Sequence, residues 1–259
     1  MLLPDEGLNP MGKTIATLPM YDWPELRPET NRLWASIREA IRTKGMEAPE
    51  QLDRTISEGE EWTRPELLLS QTCGMPYRLG LHEKVSLVGT PDYALADCPS
   101  GYYCSVLIVR AEDFRDSLEA FRGATFAFNS RHSESGFAAP MRTLAPSLRD
   151  GRFFSAELET GTHRISIRAV ANGEAELAAI DAVSWRLTKK FDPEVCKLQV
   201  LGRTEPTPGL PLITALGNDA EVLAEAVEEG IAALDASTRE VLGLAGFVRI
   251  PKQDYLTVR

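Results

Sequence analysis

The chain has 259 residues, 43% apolar and 25% charged, as in a water-soluble globular protein of one or two domains. Acidic residues outnumber basic residues 38 to 28, and the formal net charge of −10 disfavours a nucleic-acid partner. No stretch approaches the ~20 consecutive apolar residues of a membrane helix, so we expect no membrane insertion.

Strand and helix patterns alternate along the chain. A short strand at 14–18 precedes a loop bracketed by Pro19 and Pro24, and a helix runs from Pro28 to Gly45. Further strands are predicted at 67–70, 85–89, 103–110, 124–128, 153–157, 177–180 and 197–201. Further helices are predicted at 112–121, from Ser135 onwards, and at 162–171, 182–190 and 219–234. This alternation predicts an α/β protein with mostly parallel sheets covered by helices.

Two stretches rich in proline and glycine, 99–101 and 202–211, interrupt the pattern. We interpret both as crossings between two lobes. Residues 14–104 together with 203–259 then form a discontinuous first lobe, and residues 105–202 form an inserted second lobe.

The N-terminal residues contain a sequence that resembles a nucleotide-binding loop. Residues 7–14 spell GLNPMGKT, which matches the Walker A pattern. Such a loop needs a buried strand before it and a helix after it, because backbone N–H groups and the helix start hold the phosphates. Only six residues precede Gly7, and Pro19 ends the strand-like run that follows, so we interpret residues 1–13 as a disordered N-terminus.

The start of the chain and its cysteines bear on the cellular compartment. The first residues, MLLPDE, lack the basic start and apolar run of a secretion signal, which predicts a cytoplasmic protein, or a periplasmic one if a leader has been removed.

The four cysteines lack the spacing of a zinc site, so we expect no metal and no cofactor; they are Cys73, Cys98, Cys104 and Cys196. A Cys98–Cys104 disulfide is sterically conceivable, but a reducing compartment would not keep it.

Small polar residues follow four of the predicted strands. The candidate ligand-binding residues at these junctions are Ser70, Gln71 and Thr72; Asn129, Ser130, Ser133, Ser135 and Gly136; Thr162 and His163; and Asp181 with Trp185. Each serine, threonine or aspartate could also be an ordinary helix cap, and Trp185 could be a core residue. Ligands of open α/β sheets bind beyond the carboxyl ends of strands, so we expect these junctions to line one cleft.

The order of these motifs resembles that of the phosphonate-type substrate-binding proteins of ABC transporters. The matching stretches are Ser133 to Gly136, Gly161 to His163, 170–173 and 177–181, with weaker similarity at 89–93 and 204–211. The resemblance implies a two-lobed type II periplasmic-binding-protein-like fold with the ligand cleft between the lobes. It also implies that the partners are a small anionic or polar ligand and an ABC transporter permease.

The resemblance also assigns roles to individual residues. It implies that Ser133 and Ser135 hold phosphonate oxygens, that His163 contacts the ligand, and that Asp181 lies near the ligand's amine. Tyr21 and Tyr93 would supply aromatic walls from the first lobe. One departure is Glu134, which stands between the two serines and would repel an anion if its carboxylate faced the ligand.

The leading prediction is therefore a non-enzymatic protein that closes two lobes around a phosphonate- or phosphate-like ligand. The alternative is a cytoplasmic enzyme on the same fold, as in menaquinone-precursor or pyrimidine-precursor synthesis, with Asp181, His163 and Cys73 transferring protons. No G-x-S-x-G or H-E-x-x-H motif is present, and we name no catalytic residue for the leading prediction. A third possibility is an effector-sensing module that acts on a separate regulator.

Overall fold

The structure is a computed structural model that describes residues 14–148 and 151–258. The segment predicted to be disordered, 1–13, and all but Thr14 of the Walker A look-alike lie outside these ranges. The strands are Ile15–Ala16 (β1), Leu67–Gln71 (β2), Val85–Asp92 (β3), Tyr102–Tyr103 (β4), Ser105–Arg110 (β5), Thr125–Phe128 (β6), Ala156–Glu159 (β7), Leu177–Asp181 (β8), Leu198–Arg203 (β9), Thr207–Pro208 (β10), Leu212–Ala215 (β11) and Gly246–Val248 (β12).

The α-helices are Arg27–Thr43 (α1), Gly74–Arg78 (α2), Ala139–Leu144 (α3), His163–Ala171 (α4), Ala182–Phe191 (α5), Ala220–Ala232 (α6), Ala236–Leu242 (α7) and Lys252–Leu256 (α8). Short 3-10 turns cover Pro24–Leu26, Leu81–Glu83, Leu118–Phe121, Ala145–Ser147 and Pro193–Lys197, and a π turn covers Glu134–Ala138.

Two five-stranded sheets form the centres of two lobes, which confirms the two-lobed α/β fold. The first sheet has the order β1-β2-β11-β3-β12 and the second has the order β7-β6-β8-β5-β9. A two-stranded ribbon of β4 and β10 lies where the chain passes between the lobes. Thr204 and Ser105 also hydrogen-bond each other there, from the Thr204 N–H to the Ser105 carbonyl, so the two crossings support one another.

Both sheets are mixed, with fewer parallel pairs than the sequence pattern predicts. In the first sheet only β1 and β2 pair in parallel, whereas β11 runs antiparallel to β2 and β3. In the second sheet β6 is parallel to β7 and β8, but β5 is antiparallel to β8 and β9. The antiparallel strands β5 and β11 each follow a crossing directly, so no helix reverses the chain before they join their sheets.

The lobe boundaries stay a prediction, at 14–104 plus 203–259 for the first lobe and 105–202 for the second. They place every strand of the first sheet in one lobe. The strands of the second sheet fall in the other lobe, except for Arg203 at the end of β9.

The predicted helix at 112–121 is wrong. Residues 111–117 form a loop, and only the 3-10 turn Leu118–Phe121 is helical. The Asp113 carboxylate accepts hydrogen bonds from the backbone and side chain of Arg115, and Phe114 is 98% exposed. Phe114, Leu118 and Phe121 have helical spacing, but only Leu118 and Phe121 pack on the second lobe's core. A first helical turn around the exposed Phe114 would bury no apolar surface, and such burial supplies most helix stability. Helices α2, α7 and α8 and strands β10, β11 and β12 have no counterpart in the sequence prediction.

The first lobe's core forms where helices α1 and α6 pack on the sheet. Trp34, Ile37 and Ile41 of α1 are buried, as their helical spacing predicts. Gly230 lies on α6 where that helix meets α1, and its carbonyl accepts a hydrogen bond from Ser36 at 2.7 Å. A Cβ at position 230 would stand 2.7 Å from the Cα of Ile37, so only glycine allows the two helices to approach this closely.

The substitution G230A should therefore destabilise the protein. We expect a loss of about 1–3 kcal/mol in urea unfolding because of the steric contact with Ile37. Helix propensity alone would give a gain of about 1 kcal/mol, so the sign of the change separates packing from propensity. G202A is the matched control, because a Cβ there meets nothing within 4 Å. A stabilised G230A protein would contradict this account of the packing.

Candidate functional site

A cavity of about 640 Å³ opens between the two lobes. Eight of the fourteen predicted ligand residues line it: Tyr21, Asn129, Ser130, Ser133, Ser135, Thr162, His163 and Asp181. Tyr21 comes from the first lobe and the others from the second. The structure therefore brings most of the polar junctions seen in the sequence into one cavity.

The wall from the second lobe is built at one edge of its sheet. Strands β6, β7 and β8 are parallel neighbours, so their carboxyl ends lie on the same side. The chain leaves β6 into the serine turn, which we define as residues 133–136, and α4 and α5 begin after β7 and β8. Helix starts carry free N–H groups and partial positive charge, which suits this wall to an anion or a polar acceptor.

Hydrogen bonds fix the serine turn, both within the turn and to Ser105 and His163. The Ser133 hydroxyl accepts from the Gly136 N–H at 2.9 Å, and the Ser135 carbonyl accepts from the Ser105 hydroxyl at 2.7 Å. Ser135 Oγ lies 3.1 Å from His163 Nε2, which joins the turn to the start of α4. A Cβ on Gly136 would stand 1.9 Å from Asn129 Oδ1, so the turn requires glycine there.

His163 is held in a neutral state. Removal from solvent lowers its pKa to about 4. A neutral imidazole has one N–H donor and one acceptor, so it can exchange a hydrogen bond with Ser135 or a ligand without adding charge to the cavity.

Asp181 connects the second lobe to the first. Its carboxylate accepts from the Ser184 N–H at 2.8 Å, which caps α5, and from the Tyr21 hydroxyl at 2.9 Å. Burial raises the pKa of Asp181 to about 6. The Tyr21 ring packs edge-on against Tyr93, with the ring centroids 5.0 Å apart. Tyr21 is therefore fixed by contacts with both lobes.

Most of the wall from the first lobe comes from two loops. Six consecutive residues, 19–24, line the cavity, and Glu58 and Trp62 line it from the loop after α1. The buried carboxylate of Glu61 fastens this second loop, because it accepts hydrogen bonds from Thr17 at 3.0 Å and Ser70 at 2.9 Å. The sequence pattern did not indicate this role for the loop.

The comparisons with known proteins agree with this architecture. Residues 87–255 match the family described as ABC transporter, phosphonate, periplasmic substrate-binding protein. The chain belongs to this family. A search of curated proteins by sequence finds no match.

Several solved structures share the fold of this substrate-binding protein at low sequence identity. PhnD1 from Prochlorococcus marinus, solved with methylphosphonate, has a TM-score of 0.74 and 15% identity, over 95% of each chain. A Xanthomonas citri protein solved with ATP has a TM-score of 0.68 and 15% identity, over 93% of this chain and 94% of its own. A binding component of a Pseudomonas aeruginosa ABC phosphonate transporter has a TM-score of 0.67 and 15% identity, over 94% and 83%.

The remaining six predicted residues of the binding protein do not line the cavity. They are Ser70, Gln71, Thr72, Tyr93, Gly136 and Trp185. Ser70 is turned into the first lobe toward Glu61, and Gln71 donates to the Leu210 carbonyl. Thr72 and Trp185 are buried, and Tyr93 stands behind Tyr21. Strand β2 is buried along its whole length, so hydroxyl residues at its end point into protein and not into the cleft.

Fourteen further residues line the cavity beyond those that the sequence indicated. They are Pro19, Met20, Asp22, Trp23, Pro24, Glu58, Trp62, Cys73, Pro76, His132, Gly161, Arg164, Ser184 and Leu210. Several of them are adjacent in sequence to predicted residues. The prolines at 19 and 24, which bracket a loop, could have indicated that this loop lines the cavity. No sequence feature indicated Glu58 or Trp62.

The charged groups at the cavity are mostly paired. Arg164 binds Asp192 with an N–O distance of 2.6 Å and Glu25 of the first lobe at 2.8 Å. Asp22 is bound by Arg54. Glu134 does not line the cavity, because its carboxylate turns away toward Arg78 and Arg142. The repulsion that the sequence suggested at Glu134 is therefore removed by the direction of its side chain.

Metal sites and membrane spans are absent from residues 14–148 and 151–258. In that part of the chain, no group of three or more histidine, cysteine or acidic side chains is arranged to hold a metal ion. None of its helices combines the length and apolar character needed to span a bilayer.

Asp181 and His163 should give opposite pH dependences of stability. The folded-state pKa of Asp181 lies above that of an unfolded aspartate, ~3.9, so its contribution to the free energy of unfolding falls as pH rises from about 4 to about 6. The folded-state pKa of His163 lies below that of an unfolded histidine, ~6.5, so its contribution grows between pH of about 4 and 6.5.

The substitution D181N should remove the aspartate's contribution to the pH dependence and leave that of the histidine. Between pH 4 and 6, the variant's free energy of unfolding should rise relative to that of the unmodified protein, by up to about 3 kcal/mol. Urea unfolding at several pH values measures the difference. D116N, on an exposed carboxylate of the same lobe, is the control. Parallel curves for D181N and the unmodified protein would contradict the assigned environment of Asp181.

Proposed function

We propose that the protein binds a phosphonate- or phosphate-like ligand in this cavity, with the anionic group at the serine turn. The observation that carries the proposal is the convergence of the serine turn and the starts of α4 and α5 on one cavity, opposite Tyr21 of the other lobe. Hydroxyl groups and helix-start N–H groups are the donors that oxyanions prefer where no unpaired cation is at hand.

The available interactions suffice for tight binding. Hydrogen bonds to a charged group contribute ~1.5–3 kcal/mol each, and helix starts add about 0.3–1 kcal/mol, up to about 2 when partly buried. Micromolar affinity requires roughly 8 kcal/mol, so four or five such terms reach it when lobe closure costs little. The Prochlorococcus protein was solved in complex with methylphosphonate, which supports an anion of this kind.

The charges at the cavity also limit the rest of the ligand. Asp181 and Glu58 line the cavity, and the arginine that lines it, Arg164, is engaged by two carboxylates. A ligand with negative charge at both ends would meet these carboxylates. We therefore expect the part of the ligand near Asp181 to be neutral or cationic.

We propose that the ligand is returned chemically unchanged. The enzymatic alternative needs proton transfer by Asp181, His163 or Cys73. Burial lowers the pKa of His163 to about 4 and raises the pKa of Cys73 to about 11. Groups with a pKa far from neutrality are poor proton donors and acceptors at neutral pH, so His163 and Cys73 do not favour catalysis. Asp181, with its pKa raised to about 6, is then left without a matched proton-transfer partner among the three residues.

The family is periplasmic and its members work with a transporter. We propose a permease of an ABC transporter as the partner of this chain. The first residues predict a cytoplasmic address as the sequence stands, or a periplasmic one if a leader has been removed. A permease partner requires the periplasmic address, and fractionation of cells that express the protein tests it.

A thermal-shift screen tests the proposal. We expect stabilisation by methylphosphonate or phosphate, with a gain of about 2.7 kcal/mol at 100 times the dissociation constant. Mass spectrometry of the same samples should recover the ligand at its original mass. A folded protein that responds to none of phosphate, methylphosphonate, sulfate and an alkyl sulfonate would contradict the proposed ligand class, and a changed mass would support the enzyme.

The substitution S135A should weaken binding without unfolding the protein. Loss of one hydrogen bond to a charged group predicts a roughly ten- to hundredfold rise in the dissociation constant for methylphosphonate. Isothermal titration calorimetry measures the change. S117A, on an exposed serine of the same lobe, is the control and should bind like the unmodified protein. An unchanged dissociation constant for S135A would contradict the assignment of the serine turn to the binding site.

A further inference from the structure

Glu134 is a buried carboxylate inside the serine turn, between two serines that line the cavity. Its side chain is 3% exposed. Arg78, at the end of α2 in the first lobe, binds it with an N–O distance of 3.0 Å. Arg142 of α3 in the second lobe binds its other oxygen. One carboxylate therefore joins arginines from both lobes.

The backbone of the turn also contacts the first lobe. The Glu134 N–H donates to the Cys73 sulfur at 3.3 Å. A Cβ built on Gly74 would lie 3.8 Å from the Glu134 Cγ, so the start of α2 packs directly on this side chain. The Nε of Arg78 is buried with no hydrogen-bond partner within the described part of the chain. The Arg78 side chain as a whole is 19% exposed, and its ion pair in the described structure is with Glu134.

We propose that Glu134 is a positioning residue that couples the conformation of the serine turn to contact between the two lobes. When the lobes separate at this point, Arg78 is withdrawn and Arg142 alone holds the carboxylate. A buried charge that loses one of its partners is costly, so the turn and the lobe contact stabilise one another. The turn then presents Ser133 and Ser135 in the observed arrangement only while α2 lies against it.

A positioning role and a purely electrostatic role for Glu134 predict opposite effects of the substitution E134Q on the binding of an anion. Glu134, Arg78 and Arg142 together carry one positive charge, and removing the carboxylate charge raises it to two. A role limited to charge would make an anion bind more tightly to E134Q. A positioning role makes it bind more weakly, because the neutral amide holds the two arginines less firmly.

The first experiment measures the binding of methylphosphonate to E134Q by titration calorimetry. This arm rests on the proposed function. We expect a dissociation constant at least tenfold higher than that of the unmodified protein. The control is E221Q, which breaks an exposed ion pair with Arg249 in the first lobe and should leave binding unchanged. Equal or tighter binding by E134Q would overturn the proposal.

The second experiment needs no ligand. Small-angle X-ray scattering should give a larger radius of gyration for R78M than for the unmodified protein, whereas R142M, which keeps the contact between the lobes, should match it. Circular dichroism and a cooperative melt confirm folding, and R78Q replaces R78M if the latter does not fold. An unchanged radius in the Arg78 variants, or the same increase in R142M, would overturn the coupling.

The two experiments fail in different ways. If the unmodified protein binds neither methylphosphonate nor inorganic phosphate, the proposed function is wrong, and the scattering comparison still decides whether Glu134 couples the turn to the lobes. If the unmodified protein binds and E134Q binds equally well, the proposed function stands and the inference about Glu134 falls.

Discussion

The parallel pairing of β6 with β7 and β8 is the constraint on which the site depends. Parallel neighbours end on the same side of a sheet, so the segments that follow them meet there without any long-range adjustment. The three segments are the serine turn and the starts of α4 and α5. The serine turn and the start of α4 offer hydroxyls and N–H groups, and the Asp181 carboxylate caps the start of α5. The second lobe thus supplies the donors, and the first lobe supplies an aromatic and loop wall that includes Tyr21.

Glu134 and Arg164 beside this wall are engaged in ion pairs, whereas Asp181 and Glu58 line the cavity with carboxylates. Glu134 is bound by two arginines, and Arg164 by Asp192 and Glu25. Two of these pairs, Arg78 with Glu134 and Arg164 with Glu25, join the lobes. The same ion pairs therefore neutralise the arginine that lines the cavity and hold the lobes together. This arrangement suits an anion that is bound by neutral donors and released when the lobes part.

The sequence predicted the second-lobe wall better than the first. The second-lobe residues follow strand patterns at a turn or a helix start, as Ser133, Ser135, His163 and Asp181 do. The strand pattern and the helix-start residues next to them in sequence are enough to predict such positions. The loop after α1 could not be placed, because its position depends on hydrogen bonds from Thr17 of the first strand region and Ser70 of β2 to the same Glu61 carboxylate, which only the assembled sheet brings together. The strand pattern predicts that residues 70–72 reach the cleft, since they end a strand. The burial of β2 on both faces, which only the assembled lobe shows, sends them elsewhere.

The central claim is that an anion binds at the serine turn and the helix starts of the second lobe. A crystal structure of the protein in complex with methylphosphonate tests it most directly. We predict phosphonate oxygens within hydrogen-bond distance of the Ser135 hydroxyl and the helix-start N–H groups of the second lobe, with Tyr21 closing the opposite side. A phosphonate bound on the first lobe alone, or an occupied site outside the interlobe cavity with that cavity empty, would contradict it.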